Sequence, residues 1–526
     1  MKLTPRPEQE VGIERTIQEF TEGTMAALWG SEMDTGKTLQ AAEVVVRMGL
    51  QRVLYVGVKD TYGQWAERLA DQSDGAISLR RLDSTKKGTA AFDDFLAGKP
   101  GHYFVGSQML STRDWDRVPD LGNDGRKYHQ IDKKTEMPVI KPYRGVIGPS
   151  AGPVWVTKRR HLNVYKKMAP VDLVIFDEVH AVGNKKSNGI GTTRSIPTKR
   201  KLGMSGTWYG NKFLNAHTIC RWLWPSATGP SGDLLIDPAT TRWVPQWCMT
   251  ETPTRKGGLP VTDPRGNPVK IVMGEKEPGE FVKILPCYIR LDSPAGEVPK
   301  PELIYVDLTP AQRRDYDQMV EDSMMWLNAH PGLEPLVASL PISKRARLRT
   351  ATLGTMSLRD GEVFFDMETE SSKMAALRRL LDRPDWSGRP VAIYTESKRF
   401  AKVLVARMRR GGFNAVEWSG DVSSVQRDEI KRKFLAGEVQ YIVAVISAFG
   451  TGLDGFQRVC NRVAWVSESD NNKDNEQAIR RFFRTGGDLE DFKHAKILAN
   501  DTIDVGVLVN NEAKSTAAQL TMKIAS

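Results

Sequence analysis

Cysteine is scarce in this chain. Four cysteines occur among 526 residues, they lie far apart, and none of them forms a CxxC pair. Closely spaced thiols are what a structural zinc site or a disulfide framework requires, so the sequence disfavours both. We interpret Cys220, Cys248, Cys287 and Cys460 as reduced, mostly structural residues in a reducing compartment.

Long apolar runs are also missing. No run approaches the length of a membrane-spanning helix, and the first residues, MKLTPRPEQE, have no apolar core of the kind a secretory signal carries. No internal repeat or low-complexity tract is evident. We therefore expect an intracellular protein of the cytoplasm (the host cytoplasm if the chain is viral) that does not associate with membranes.

The composition is that of a globular protein with a basic balance. The chain is 40% hydrophobic and 26% charged, and at 526 residues it is too long for a single core, so two to four domains are expected. Lys plus Arg number 75 against 64 Asp plus Glu, a net charge of +11. This excess favours a polyanionic partner such as nucleic acid, with plain solubility as the alternative.

Two regions alternate strand-like and helix-like patterns. The first contains apolar runs at 52–58, 103–106 and 171–177, and the second contains them at 389–395 and 441–447, with helical patterns between. Such alternation is typical of parallel sheets built from βαβ units. The predicted fold class is α/β, with two lobes that each hold a parallel sheet flanked by helices.

A pair of adjacent carboxylates ends one of these runs. Asp177 and Glu178 follow the buried-strand pattern VDLVIF. At the end of a strand one carboxylate can hold Mg²⁺ while its neighbour polarises an attacking water. A strand end that is acidic by chance is the competing interpretation, and the pair alone does not decide between them.

The segment SEMDTGKT (31–38) lies between a short apolar run and a predicted helix. In Gly36-Lys37-Thr38 the backbone amides would cradle phosphates, the lysine would reach the β- and γ-phosphates, and the Thr38 hydroxyl would bind Mg²⁺. A strict GxxxxGK[ST] motif would have Gly where this chain has Ser31. Together with the acidic pair, this segment predicts a nucleotide site.

These motifs occur in a characteristic order. SEMDTGKT, FDEVH, MSGTW (204–208) and EQAIRRFFR (476–484) resemble the ordered motifs of superfamily 2 helicases. RPEQ (6–9), DLTPAQRRDY (307–316) and the Asn184 that trails the acidic box resemble the Snf2-like branch of ATP-dependent DNA translocases. The resemblance covers most of residues 3–510. It implies two tandem RecA-like lobes.

The resemblance also implies a division of the chain. Lobe one is expected at 1–225, with an insertion at 113–170 that is rich in Gly, Pro, Lys and Arg. A Pro- and Gly-rich insertion is expected at 226–300, a helical linker at 301–382, lobe two at 383–503 and a tail at 504–526. The insertion interleaves aromatic and cationic residues, which favours nucleic-acid contact over a solvated loop only slightly.

The implied catalytic residues come from both lobes. Asp177 would hold Mg²⁺ through water, and Glu178 would orient and activate the attacking water. Gln477, Arg481 and Arg484 are spaced to share one face of a helix. By resemblance, the two arginines would project from lobe two to the γ-phosphate, where guanidinium groups neutralise the charge that develops during transfer.

The resemblance assigns further residues to ligands. Gln9 would contact adenine, and the expected ATP-binding set is Gln9, Ser31, Glu32, Met33, Asp34, Thr35, Gly36, Lys37, Thr38, Gly452 and Asp454. Mg²⁺ would be held by Thr38 and Asp177. Sequence-independent contacts with the nucleic-acid backbone are expected from Ser107, Gln108, Ser447 and Gly450. His180 is expected to couple the ATP site to the contact between lobes.

Three positions depart from the family pattern. Asp34 stands where Gly is usual; Asp tolerates a left-handed backbone, but its charge is unfavourable near phosphates. Trp208 replaces the Pro that usually follows the Thr of SGT, and FFRTGG lacks a closing Gly-Gln.

The predicted function is therefore an ATP- and Mg²⁺-dependent Snf2-like motor that moves on DNA, with duplex DNA as the expected track and a role in replication, repair or recombination. We expect a monomer. The alternatives are a strand-separating DNA or RNA helicase and a nucleotide-gated clamp on nucleic acid with little turnover.

Overall fold

Two separate parallel sheets organise the chain, one formed before residue 290 and the other after residue 301. The computed structural model describes residues 2–83, 86–107, 115–119, 127–131, 138–142, 155–159, 168–183, 196–209, 212–229, 232–254, 259–262, 266–322, 324–325, 336–337, 341–359, 362–366, 368–449 and 455–523.

The elements of the first part of the chain are as follows. Its strands are β1 (Ala26–Trp29), β2 (Arg52–Gly57), β3 (Leu79–Leu82), β4 (Gly101–Gly106), β5 (Trp115–Pro119), β6 (Lys127–Ile131), β7 (Pro138–Pro142), β8 (Trp155–Arg159), β9 (Val171–Asp177), β10 (Thr198–Met204), β11 (Cys248–Glu251), β12 (Ile271–Glu275) and β13 (Tyr288–Ile289). Its helices are α1 (Pro7–Thr21), α2 (Lys37–Arg47), α3 (Tyr62–Gln72), α4 (Lys86–Leu96), α5 (Leu214–Leu223), α6 (Thr240–Trp247) and α7 (Glu280–Lys283).

The first sheet has seven parallel strands in the order β13-β1-β10-β9-β2-β4-β3. Successive side chains of β2 enter opposite cores: Leu54 and Val56 face one cluster, and Val53 and Tyr55 face the other. Helices α1–α3 cover the Val53 side, and α4–α7 cover the Leu54 side. Burial on both faces explains why the strands read as continuous apolar runs.

The second part of the chain repeats this plan. Its strands are β14 (Glu302–Val306), β15 (Met324–Met325), β16 (Leu336–Val337), β17 (Met356–Arg359), β18 (Glu362–Phe365), β19 (Val391–Thr395), β20 (Ala415–Trp418), β21 (Tyr441–Val445), β22 (Arg462–Trp465) and β23 (Lys493–Ala499). Its helices are α8 (Pro310–Asp322), α9 (Pro341–Leu353), α10 (Ser372–Leu381), α11 (Lys398–Arg410), α12 (Ser424–Leu435), α13 (Ile446–Phe449), α14 (Asn472–Ile479) and α15 (Ile503–Lys523).

The second sheet has six parallel strands in the order β14-β23-β22-β19-β21-β20. Along β21 the side chains of Tyr441, Val443 and Val445 enter one core, while Ile442 and Ala444 enter the core on the opposite face. Helices α8–α11 cover the first of these faces and α12–α14 the second. Two parallel sheets with helices on both faces confirm the predicted α/β class of two tandem lobes.

Short antiparallel hairpins decorate both lobes. Strands β5 and β8 pair, as do β6 and β7, within the predicted insertion at 113–170. Strands β11 and β12 pair within 226–300, and β15–β16 and β17–β18 pair within 301–382. Each pair stands apart from the two parallel sheets.

The sheets extend beyond the lobe limits expected from the sequence. Strand β13 joins the edge of the first sheet, although residues 226–300 were predicted to be an insertion. Strand β14 joins the edge of the second sheet, although residues 301–382 were predicted to be a linker. Both are edge strands: β13 has only two residues, and β14 (ELIYV) has exposed residues at three of its five positions, so neither carries the buried-strand pattern.

Trp222 and Trp224 are buried in the core of lobe one. All four cysteines are free and buried. No helix within the described ranges is long and apolar enough to cross a membrane.

Candidate active site

The loop between β1 and α2 has the shape of a phosphate cradle. Gly36 takes a left-handed conformation, with φ of 73°, immediately before α2. A Cβ at Gly36 would lie 2.5 Å from Gln9 Nε2, so a side chain there would displace the end of Gln9 in addition to straining the backbone. Lys37 Nζ donates to the carbonyls of Ser31 (2.9 Å) and Glu32 (2.6 Å), so the ammonium group is folded over the loop.

The charge of Lys37 lies close to the acidic pair. Burial lowers the pKa of Lys37, and the charges of Glu178, Asp177 and Glu32 act in the opposite direction. The β1–α2 loop and the end of β9 therefore bring the lysine close to both carboxylates. Thr38 lies in the first turn of α2.

Gln9 is turned inward, toward the loop. Its Oε1 accepts from the Arg6 amide (2.8 Å), and its Nε2 donates to the Thr35 carbonyl (2.7 Å). Gln40 Nε2 donates to that same carbonyl at 2.8 Å. Gln9 thus fixes the loop, and the predicted contact with adenine would compete with these bonds.

The acidic pair lies at the carboxyl end of β9, in the interior of the first sheet. Glu178 has a left-handed backbone with φ of 56°, which turns the chain sharply after the strand. Asp177 Oδ2 accepts from Trp65 Nε1 at 3.2 Å. The turn lets the two adjacent carboxylates meet different partners, so they can take different chemical roles.

Glu178 is held by both lobes. Its Oε2 accepts from Ser205 Oγ at 2.8 Å and lies 3.0 Å from His180 Nδ1. Its Oε1 accepts from Gln477 Nε2 of lobe two at 3.3 Å. A carboxylate with two fixed oxygens is well placed to orient a water molecule.

The two carboxyl groups differ in proton affinity. Burial and the charge of Glu178 raise the pKa of Asp177 to about 6. Burial also disfavours the charged form of Glu178, but the His180 hydrogen bond and the charges of His180, Lys473 and Lys37 outweigh it and lower the pKa of Glu178. As the pH rises, Glu178 therefore loses its proton before Asp177, and the charged form of Asp177 would be stabilised by a cation beside it.

His180 joins the lobes. Its Nδ1 lies 3.1 Å from Ser205 Oγ, and its Nε2 contacts Lys473 Nζ of lobe two. Lys473 Nζ also lies 4.0 Å from Glu178 Oε2. Lys473 and Gln477 are four residues apart on α14, which places both on the helix face that meets Glu178 and His180.

The segment EQAIRRFFR differs from its prediction. Helix α14 ends at Ile479, so Gln477, Arg481 and Arg484 do not share one helical face. After the helix, Arg484 Nε donates to Asp34 Oδ1 in the loop of lobe one (3.0 Å). Arg481 faces lobe two, where its charge partly offsets the burial that raises the pKa of Tyr394. Of the two arginines, Arg484 thus contacts the β1–α2 loop of lobe one.

Arg480 makes a second contact of this kind. Its Nη2 lies 3.6 Å from Glu32 Oε2, and its Nη1 donates to the Gly296 carbonyl at 2.6 Å. Arg290 Nη2, from the segment between the lobes, donates to Glu32 Oε1 at 2.9 Å. The acids of the loop therefore lie opposite the arginines that follow α14.

A cavity of about 190 Å³ lies beside the acidic pair, between the lobes. Its polar lining residues are Ser107, Asp177, Glu178, His180, Ser447, Lys473, Asp474 and Gln477. Ser107 and Ser447, predicted to contact nucleic acid, are thus brought together with the catalytic candidates. Gln108, Asn184, Gly450, Gly452 and Asp454 lie outside the described residues, as does most of the insertion at 113–170.

Sequence reasoning missed three contributors to this site. Lys473 carried a usable signal, since it precedes Gln477 by four residues in a helical pattern. Arg480 adjoins Arg481 and follows Gln477 by three residues, so it too shared the helical spacing. The contact of Trp65 with Asp177 spans 112 residues of sequence, so no local pattern relates the two residues.

A comparison with known protein families gives a match within the second half of the chain. Residues 372–486 match the family model of the helicase conserved C-terminal domain. No curated protein matches the chain. Among solved structures, the chain is similar to the Sulfolobus solfataricus SWI2/SNF2 ATPase core in complex with dsDNA, at 16% identity and a TM-score of 0.38, over 99% of this chain and 95% of that one. A likeness this distant carries no property across. Over residues 372–486 the chain is therefore similar to the helicase conserved C-terminal domain, which confirms the predicted resemblance to superfamily 2 helicases for lobe two.

Proposed function

We propose that this chain is a Mg²⁺- and ATP-dependent motor of the Snf2-like superfamily 2 type that moves on DNA. The observation that carries the proposal is the position of Glu178. Ser205 and His180 hold it from lobe one, and Gln477 holds it from lobe two. A general base that both lobes position acts fully only when the lobes meet.

The residues present fit Mg²⁺ and a nucleotide. Asp177 at the end of β9 and Thr38 in the first turn of α2 supply oxygen ligands, and Mg²⁺ usually takes one or two protein oxygens together with phosphates. When bound, Mg²⁺ would neutralise charge on the β- and γ-phosphates. The loop from Ser31 to Gly36 offers backbone amides, and Lys37 would exchange its loop carbonyls for phosphate oxygens.

The remaining groups would act on the water and the departing phosphate. Glu178 would take a proton from the attacking water, with His180 and Ser205 fixing its Oε2. Arg484 would neutralise charge at the γ-phosphate from lobe two, and Arg481 would do so only after turning toward lobe one. Because these groups lie on different lobes, hydrolysis would change the contact between lobes and drive movement.

The nucleic-acid partner is proposed from charge and from the predicted contacts. A net charge of +11 favours binding to phosphate backbones. Ser107 and Ser447 lie on facing lobes, and with Gln108 and Gly450 they would supply contacts that ignore base identity. Displacement assays would compare duplex unwinding with displacement of a triplex-forming strand. Unwinding without triplex displacement would replace the translocase with a strand-separating helicase.

ATP turnover with and without duplex DNA, for the wild type and for Glu178→Gln, tests the proposed reaction. Glutamine keeps the shape of Glu178 but cannot accept a proton, so we expect the DNA-stimulated rate to fall by about 10²- to 10⁴-fold with ATP binding retained. Glu429→Gln, at an exposed ion pair with Arg432 on α12, is the matched control.

Two outcomes would contradict this reaction. Wild-type protein that binds ATP and DNA without stimulated turnover would indicate a nucleotide-gated clamp, the alternative that the acidic Asp34 leaves open. Full activity in Glu178→Gln would remove the general base from the proposal.

A further inference from the structure

Asp34 is the unusual residue of the phosphate loop. Its backbone is left-handed, with φ of 68°, a conformation that Asp tolerates better than most residues. Its side chain is only 10% exposed. Both carboxylate oxygens are used: Oδ1 accepts from Arg484 Nε at 3.0 Å, and Oδ2 accepts from the Thr485 amide at 2.7 Å.

These bonds link the two lobes across the nucleotide site. Arg484 and Thr485 follow α14 in lobe two, whereas Asp34 lies in lobe one between β1 and α2. The Arg484 side chain is 21% exposed, so the pair is partly shielded from water and from salt. The neighbouring contact between Arg480 and Glu32 (3.6 Å) runs in the same direction.

Arg484 also lies near the ammonium group of the loop. Its positive charge contributes to lowering the pKa of Lys37, although burial contributes more. Two cations that converge beside a phosphate loop are suited to share one anion. Without a nucleotide, the Asp34 carboxylate is the anion that Arg484 meets.

We propose that Asp34 is a latch that substitutes for the terminal phosphate, holding Arg484 and lobe two against the loop until a nucleoside triphosphate displaces it. The latch rests on the proposed function, since it assumes that Arg484 serves the γ-phosphate. The phosphate carries more charge than the carboxylate and offers more oxygens to Arg484 and Lys37. Binding of the triphosphate therefore exchanges one interlobe bond for another.

In this proposal the nucleotide and the Asp34 carboxylate compete for Arg484. A nucleotide must break the bonds of Asp34 before Arg484 is available, so its apparent affinity falls by the fraction of molecules that are unlatched. A latch closed in nine of ten molecules lowers the apparent affinity about tenfold. The nucleotide-free lobes are correspondingly held together.

Single-molecule energy transfer between the lobes tests the latch. Dyes would be attached to cysteines introduced at the exposed Gln18 on α1 and Asp428 on α12, since the native cysteines are buried. The variant is Asp34→Asn, which tolerates the left-handed backbone and removes the charge. Asp74→Asn is the matched control, because Asp74 is also left-handed (φ 52°) but forms an exposed ion pair with Lys2.

We expect Asp34→Asn to separate the lobes without nucleotide and to bind adenylyl imidodiphosphate about tenfold more tightly, with Asp74→Asn like the wild type. An unchanged nucleotide-free distance in Asp34→Asn would overturn the latch. Separated lobes with unchanged or weaker analogue binding would overturn it too, because the bond would then not compete with phosphate. Neither measurement needs hydrolysis, so lack of ATP turnover in the wild type would refute the proposed function alone.

Discussion

At the scale of a single residue, Ser205 helps to fix the position of the Glu178 carboxylate. It is fully buried, its Oγ donates to Glu178 Oε2 at 2.8 Å, and it lies 3.1 Å from His180 Nδ1. A hydroxyl at this point fixes the carboxylate oxygen and links it to the residue that contacts Lys473 of lobe two. The bond stabilises the charged form of Glu178.

Ser205→Ala is expected to lower the DNA-stimulated ATPase rate about tenfold, because Glu178 loses a fixed hydrogen bond worth about 1–2 kcal/mol. The measurement is steady-state ATP turnover with saturating duplex DNA. A KM that rises while kcat stays constant would contradict a role in positioning the base.

A second buried serine supplies the control. Ser371 caps α10 by accepting from the Met374 amide at 3.3 Å, far along the chain from Glu178. Ser371→Ala should cost about 1 kcal/mol of stability through the lost cap and leave turnover unchanged.

At the scale of a secondary-structure element, helix α2 is flanked by two glycines whose surroundings differ. Gly36 precedes the helix with φ of 73°, and a Cβ there would lie 2.5 Å from Gln9 Nε2. Gly49 follows the helix with φ of 60°, and a Cβ there would meet nothing within 4 Å. Both positions favour glycine by conformation, but only Gly36 also lacks space.

Gly36→Ala is expected to destabilise lobe one by more than Gly49→Ala and to abolish ATP binding. The left-handed backbone costs about 1–2 kcal/mol at either site, and Gly36 adds the displacement of Gln9 from the Thr35 carbonyl. Thermal unfolding and equilibrium binding of ATP would measure both effects. Equal losses of stability in the two variants would show that Gln9 does not constrain the loop.

The helix α14 shows a limit of periodicity. Its four-residue spacing correctly relates Lys473 and Gln477, which both reach residues of lobe one. The same periodicity fails for Arg481 and Arg484 because the helix ends at Ile479 and the chain turns. Periodicity alone gives no position for that end.

At the scale of the whole molecule, each lobe contains a buried histidine whose pKa is lowered. Burial lowers the pKa of His102 on β4 and of His494 on β23 to about 4. Each is bonded as a neutral ring: His102 Nδ1 lies 3.1 Å from Tyr55 Oη, and His494 Nε2 lies 2.6 Å from the Pro299 carbonyl.

The free energy of unfolding is expected to fall as the pH falls from 6.5 to 4. The unfolded chain takes up these protons near pH 6.5 and the folded chain only near pH 4, so the unfolded state binds more protons in between. Each histidine would account for at most about 3 kcal/mol at the acid end of that window. Urea unfolding at several pH values, followed by tryptophan fluorescence, measures the slope.

The double variant His102→Gln/His494→Gln is the control, since glutamine does not titrate. Its unfolding midpoint should depend less on pH between 6.5 and 4.5 and match the wild-type slope above pH 7. An unchanged slope in the double variant would assign the acid sensitivity to other groups.

The sequence alone predicted the α/β class and several residues that the structure brings together in the candidate site. Strands buried on both faces, such as β2, β9 and β21, read as apolar runs, and the ends of such runs mark where side chains such as Asp177 become available. Lys37, Asp177 and Glu178 could be assigned together because the strand ends of a parallel sheet share one edge.

Only the tertiary structure decided the rest. Strand β10 lies between β1 and β9 yet carries Lys199 and Lys201, whose ammonium groups reach Asp172 and the Trp222 carbonyl, partners distant in sequence. The contact of Asp34 with Arg484 spans 450 residues and two lobes. Local sequence patterns indicate burial and periodicity, whereas a contact between distant residues depends on how the lobes pack. The sequence therefore determined which residues form the candidate site. The packing determined which partners hold them.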